Sequence, residues 1–94
     1  MSNIKAIDGG IILDVTKNDV HSIHKVTLFH GKETAYSIDE SACTTLYMTD
    51  GVMRITDSDD EVHILRNGSC LSLKNKSCEI EQIYGAEFLV VQTT

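Results

Sequence analysis

The 94-residue chain has no proline and no tryptophan, and its aromatic side chains are two phenylalanines and three tyrosines. Without proline, every bend must be made by Gly, Asn, Asp or Ser. Long apolar runs are missing as well. None approaches the roughly 20 residues that a membrane-spanning helix needs. Met1-Ser2-Asn3-Ile4-Lys5 has no apolar signal core, which argues for a cytoplasmic protein. Basic residues are few: 8 Lys and Arg stand against 14 Asp and Glu, for a net charge of −6. Such a surface repels phosphate backbones, which excludes broad nucleic-acid binding. No basic amphipathic run is available for a membrane surface. The three cysteines, Cys43, Cys70 and Cys78, are odd in number and lack Cys-x-x-Cys spacing. That disfavours a disulfide framework or a zinc site and leaves buried thiols. There is no G-x-S-x-G elbow, phosphate loop or G-x-G-x-x-G, so nucleophilic catalysis and nucleotide binding by those devices have no support.

What the chain does have is a rhythm. Turn signals recur at short intervals, among them Asp8-Gly9-Gly10, Lys17-Asn18-Asp19, His30-Gly31-Lys32, Asp50-Gly51, Asp57-Ser58-Asp59-Asp60 and Asn67-Gly68. The segments between them are short and rich in Val, Ile, Leu, Thr and Tyr, which reads as all-β. No window long enough for a helix has a 3.6-residue period. The clear strand runs are Gly10–Thr16, His21–Phe29, Ala42–Met48, Val52–Thr56, Glu61–Leu65 and Cys70–Leu73. A more polar run covers Glu33–Ile38, and Cys78–Ile83 and Glu87–Gln92 close the chain. Asp50-Gly51 predicts a two-residue hairpin between Ala42–Met48 and Val52–Thr56. Phe88, Leu89, Val90 and Val91 in succession predict a strand buried on both faces. Eight or nine strands in one domain spanning residues 1–94 must pair, close or cover their edges. A small jelly-roll barrel does this.

Within that frame, Met53 and Ile55 fall on one face of Val52–Thr56, with Arg54 on the other. A guanidinium at a barrel mouth suits phosphate or carboxylate, although a solvated arginine is the plainer reading. Tyr47 shares a face with Cys43 and Thr45. It either caps a pocket or packs with its hydroxyl satisfied. His24 and His30 share a face with Val26 and Leu28 and would reach a pocket if that face lines the barrel, although the plainer reading leaves them at the strand's two ends near solvent. His21 and His24 form H-x-x-H, but residues three apart on a strand point to opposite faces. Asp57–Asp60 lacks the glycine and terminal glutamate of a calcium loop and reads as a solvated hairpin tip.

The spacing of Gly31, Gly51 and Gly68 resembles that of the two motifs of the cupin superfamily. The resemblance covers about two-thirds of the chain. It implies a minimal cupin barrel with a site lined from its middle strands. Where the first motif has two His and one Glu, this chain has Ser37, Asp39 and Thr44; where the second has His, it has Glu79. Two carboxylates among hydroxyls make a poor soft-metal site. The expectation is therefore no cofactor and no tightly bound iron, zinc or manganese, with a weak oxygen site at Asp39 and Glu79 as the remaining alternative. Gly68 to Ser77 also resembles a stretch of the small cupin-type pyrimidine/purine nucleoside phosphorylases, with Lys74 where they have proline and Leu71 where they have an aromatic.

These readings give three functional expectations. The first is a metal-free module that binds a small polar or anionic molecule in the barrel through Ser37, Asp39, Thr44, Tyr47, Arg54 and Glu79. The second is a divergent nucleoside phosphorylase, with Arg54 or a lysine on phosphate. The third is a protein-interaction module with no small ligand. Polar residues at the presumed site positions favour the first, because an abandoned pocket would fill with Leu, Ile or Phe. Small size and edge strands point to a homodimer, formed by sheet extension or by face packing.

Overall fold

In the computed structural model the described residues are 4–17, 21–31 and 35–93. The expected turn at Asn18-Asp19 and the start of the Glu33–Ile38 run lie outside them. Eight strands are present among the described residues: β1 (Ile4–Ile7), β2 (Gly10–Lys17), β3 (His21–Leu28), β4 (Ala35–Ser41), β5 (Cys43–Asp57), β6 (Val62–Arg66), β7 (Cys70–Leu73) and β8 (Lys76–Thr93). Every pairing is antiparallel.

Two strands organise the rest, β5 with 15 residues and β8 with 18. They pair with each other along almost their whole length, from Cys43↔Thr93 to Asp57↔Cys78. Each serves two layers. In the first layer the order is β1-β2-β3-β8-β5-β7, built on residues 86–93 of β8 and the first half of β5. In the second it is β4-β8-β5-β6, built on residues 76–82 of β8 and residues 52–57 of β5. The ladder slips between Met48 and Asp50 and again between Gly51 and Met53. Such bulges raise the local twist and bend the strands, and here they carry both chains from one layer to the other. The result is an all-β jelly roll.

The corner overturns the expected Asp50-Gly51 hairpin. Gly51 does take a positive φ, at 94°. It uses that freedom to turn a corner inside one continuous strand rather than to reverse the chain. Gly85, with φ 70°, lies opposite in β8. A Cβ at Gly51 would collide with the carbonyl oxygen of Gly85. The Gly51 N–H donates to Asn67 Oδ1 at 2.7 Å, and the Gly85 N–H donates to Gln82 Oε1 at 2.7 Å. The two closing runs, Cys78–Ile83 and Glu87–Gln92, are likewise one strand. Gly68 behaves as expected: it makes the β6–β7 turn, and its N–H donates to Met48 O at 2.9 Å.

Strand alternation delivers the core from both layers. Phe88, Leu28, Leu46, Met48, Met53, Ile55, Ile80, Val26 and Val90 are all at most 1 % exposed. Tyr36 packs against them, its ring edge-on to Phe88 at 6.3 Å. Among the described residues, no buried side-chain nitrogen or oxygen lacks a hydrogen-bond partner. Leu89 and Val91, expected to be buried on both faces with their neighbours, are only half-buried and face away from the core.

Gly51→Ala should therefore cost more than the roughly 1–2 kcal/mol that left-handed φ alone costs a residue with a side chain. Gly68→Ala has a similar φ, 83°, but meets no atom within 4 Å, and should cost about that amount alone. Urea unfolding of the two variants measures the difference; equal losses would show that the close approach at the corner carries no energy.

Candidate functional site: a hydroxyl-lined acidic cleft beside a buried aspartate

At the end of β5, alternation turns Asp57 inward after Met53 and Ile55, and its side chain is fully buried. A buried carboxylate must be paired and hydrogen-bonded, and this one is. Its Oδ1 accepts from the backbone N–H groups of Asp59 at 2.8 Å and Glu61 at 3.1 Å. Its Oδ2 lies 3.2 Å from His63 Nε2 and 3.7 Å from Lys76 Nζ. Lys76 also reaches Asp59 at 2.9 Å. Asp60 takes a φ of 63°, which lets the β5–β6 turn close. The Ser58 N–H then donates to Ser77 O at 3.0 Å and ties the turn to β8.

Burial pushes the Asp57 carboxyl up. The His63 hydrogen bond, the two backbone N–H groups and the Lys76 charge outweigh it and hold the group below the usual carboxylate range. The Asp59 hydrogen bond raises Lys76; burial opposes this, and the neighbouring acidic charges reinforce it. The expected solvated tip is thus locked from below by a buried ion-pair network. Asp57, Glu61 and His63 do place ligand atoms within 4.8 Å of one another. Both Asp57 oxygens are already engaged, however, and the Lys76 ammonium supplies the positive charge there.

Beside this network lies a cleft of about 350 Å³. Ser37, Thr56, Ser58 and Ser77 line it with the acidic residues Asp39, Asp57, Asp60 and Glu79, and Ile38 and Cys78 complete the lining. Three neighbouring strands set its floor: Glu79 on β8 pairs with Ser37 on β4 at one side and with Thr56 on β5 at the other. All three alternate with buried residues, namely Ile38, Cys78, Ile80 and Ile55. They therefore face outward, away from the barrel interior.

Of the six expected ligand-binding residues, the cleft unites Ser37, Asp39 and Glu79. Thr44 is buried inside the barrel, 2.8 Å from Ser41 Oγ, and accepts from Gln92 Nε2 at 3.4 Å. Tyr47 is 45 % exposed on the outer face of the first layer. Arg54 faces out on the second layer and donates to Glu81 Oε2 at 2.7 Å, across a directly paired position. Because Ser37, Asp39 and Glu79 point out while Thr44 points in, the four positions where the resemblance places metal ligands do not converge. These residues do not fit such a metal. The barrel interior, expected to be polar at the site, is filled by Leu, Ile, Met and Phe.

The histidines also have other partners. His24 Nδ1 lies 2.6 Å from Asp14 Oδ1 on the adjacent strand, and His30 stacks on Tyr84 with ring centroids 4.8 Å apart. Sequence reasoning missed Asp57. The available signal was an Asp opening a turn, whose side chain accepts from the N–H two residues on.

Similarity to solved structures bears on the fold. An RmlC-like cupin from Shewanella frigidimarina matches with a TM-score of 0.82 at 15 % identity, over 98 % of this chain and 83 % of that one. A cupin superfamily protein from Desulfitobacterium hafniense matches at 0.79 and 18 % identity, over 96 % and 83 %. An RmlC-like cupin with a double-stranded β-helix fold from Methanocaldococcus jannaschii matches at 0.76 and 19 %, over 96 % and 87 %. The chain has the cupin fold. No protein-family model and no curated protein matches the sequence.

Two outcomes follow for the cleft end. Because the native pKa of Asp57 is depressed, its contribution to stability is fully present above the unfolded value of about 3.9 and is lost as pH falls through the native value. Asp57→Asn should be less stable than the parent at pH 7, and the gap should close progressively below pH ~4; denaturant melts across that range read it. Cys78 is 5 % exposed, and burial first, then the Asp57 charge, pushes its thiol up to about 11. Iodoacetamide at pH ~8 should spare Cys78 in the native protein and modify it once urea unfolds the chain, since the thiolate is the reactive form.

Proposed function

We propose that this domain is a protein-interaction module of cupin fold that works through its outer surfaces and holds no small molecule inside the barrel. The observation that carries this reading is the filled interior. Phe88, Leu46, Met48, Met53, Ile55 and Ile80 occupy the space where a ligand would sit, and interiors packed in this way leave no room for one. The phosphorylase alternative gains no support, since Arg54, the candidate phosphate ligand, is engaged by Glu81.

A second reading rests on the cleft. Its hydroxyls and carboxylates suit a small polar molecule that is neutral or cationic, and its charge selects against an anion. In this reading Ser37 and Glu79 hold the ligand and Asp39 stands at the rim.

Native mass spectrometry of the purified protein decides between the two. The interaction reading expects the bare polypeptide mass, alone or in multiples, with no metal and no organic adduct. A stoichiometric organic adduct lost on Glu79→Gln would install the second reading in its place. An adduct or transition metal that survives Glu79→Gln would defeat both.

A further inference from the structure

The glycine corner has an outer side that the fold leaves open. There the bend of β5 meets the β6–β7 turn and the bend of β8 around a groove of about 410 Å³. Asp50, Gly51, Val52, Arg66, Asn67 and Tyr84 line it. Gly51 contributes no side chain, so the groove reaches the backbone at the bend. Val52 and Tyr84 give it apolar walls. Tyr84 is 72 % exposed, more than any other large hydrophobic residue described. Its ring is nonetheless fixed, stacked within 5° of parallel on His30. Asn67 is fixed as well: its Oδ1 accepts from the Gly51 N–H at 2.7 Å, which leaves the Nδ2 group as a donor.

The charges of the groove are uncommitted. The chain has two arginines, Arg54 and Arg66. Arg54 pairs with Glu81 at 2.7 Å. Arg66 has its C=O tied into the β6–β7 turn by the Ser69 N–H at 2.9 Å, but its guanidinium makes no ion pair among the described residues. Asp50 lines the same groove and makes none there either. Two opposite charges thus border one apolar-walled groove without pairing with each other.

Resting on the interaction reading, we propose that this groove docks the C-terminal residue of a partner protein, one with an apolar or aromatic side chain. Three groups of that residue match three parts of the groove. A guanidinium takes a carboxylate through paired charge-assisted hydrogen bonds. Arg66 therefore holds the α-carboxylate, with Asn67 Nδ2 as a further donor. Val52 and the Tyr84 ring hold the side chain, an aromatic one packing offset or edge-on against the tyrosine. Asp50 accepts the main-chain N–H of the same residue. It also repels a second carboxylate, which selects against Asp or Glu as the last residue. An internal acidic residue does not match, because its carboxylate sits at the tip of the side chain and brings no apolar group with it. The net charge of −6 adds a preference for basic residues upstream of the partner's end.

The probe is the peptide acetyl-Lys-Gly-Ser-Phe with a free α-carboxylate, titrated into the isotope-labelled full chain and followed by amide chemical shifts. Saturable shifts at Gly51, Val52, Arg66, Asn67 and Tyr84 are expected, with a Kd of about 1 mM or tighter. The same peptide ending in a carboxamide should bind about tenfold more weakly, the scale of a lost charge-assisted hydrogen bond. Arg66→Gln should weaken the acid by a similar factor, and Arg54→Gln should not. Both arginines are exposed, and if Arg66→Gln fails to fold, the acid and amide peptides still read the carboxylate contact on the parent. Equal binding of acid and amide, or an Arg66→Gln variant that binds as the parent does, overturns the assignment. Free phenylalanine binding as tightly as the peptide overturns it too, since the groove would then take an amino acid and not a chain end. No saturable shift, with a bare native mass, overturns the groove but leaves the interaction reading standing. No saturable shift, with an organic adduct lost on Glu79→Gln, overturns both.

Discussion

The close approach of β5 and β8 at Gly51 and Gly85 is the constraint on which the architecture depends. Two long strands have to bend together, in register, and remain paired on both sides of the bend. A side chain at Gly51 would push the backbones apart, because its Cβ meets the Gly85 carbonyl oxygen. With the corner closed, one antiparallel pair becomes the spine of two layers. Their inner faces then meet across Phe88, Met48, Met53 and Ile80. The polar side chains of Asn67 and Gln82 take up the corner N–H groups, so the bend does not leave donors unsatisfied.

The same bend sorts chemistry between inside and outside. Apolar residues from both layers fill the interior completely enough that polar residues of the middle strands must go elsewhere. Thr44 remains inside only because Ser41 and Gln92 satisfy it. Ser37, Glu79 and Thr56 go outside, where they make the floor of the cleft. Asp57 is the intermediate case: its position is inward, but it stands at the end of the barrel where two backbone N–H groups, an imidazole and an ammonium can surround it. A charge is tolerated there because the turn it organises supplies the N–H groups, and β6 and β8 supply the imidazole and the ammonium.

Much of the fold was legible. Alternation placed Met53 and Ile55 opposite Arg54, as the burial pattern has them. What was not legible follows from the local nature of the signals. A glycine with positive φ serves a hairpin and a strand corner equally well, so Asp50-Gly51 could not distinguish reversal from bending; only the pairing partner Gly85 does. The site suffered from period two. Glycine spacing set the positions of Ser37, Asp39 and Glu79 along the strands but not the face they occupy, and one residue of register separates Ser37 from the buried Ile38. Even so, three of those positions came together, because Ser37 and Glu79 are cross-strand partners whichever way the pleat faces. Tyr47, Arg54 and Thr44 scattered because they belong to three different surfaces.

The central strand of this domain is also the one that follows all the others in the chain. β8 contributes to both layers and separates β3 from β5 and β4 from β5. Until residues 76–93 are available, the earlier strands possess only the β1-β2-β3 meander and the pairings of β5 with β6 and β7. Nothing among the described residues joins these two units or covers their apolar faces, and contacts this distant in sequence form slowly because loop closure precedes any reward. During synthesis the apolar faces of β3 and β5 therefore wait, uncovered, for a strand that the ribosome has yet to release. The two layers can close on each other only once residues 76–93 have joined them, and until then those faces are the part of the domain most open to wrong contacts.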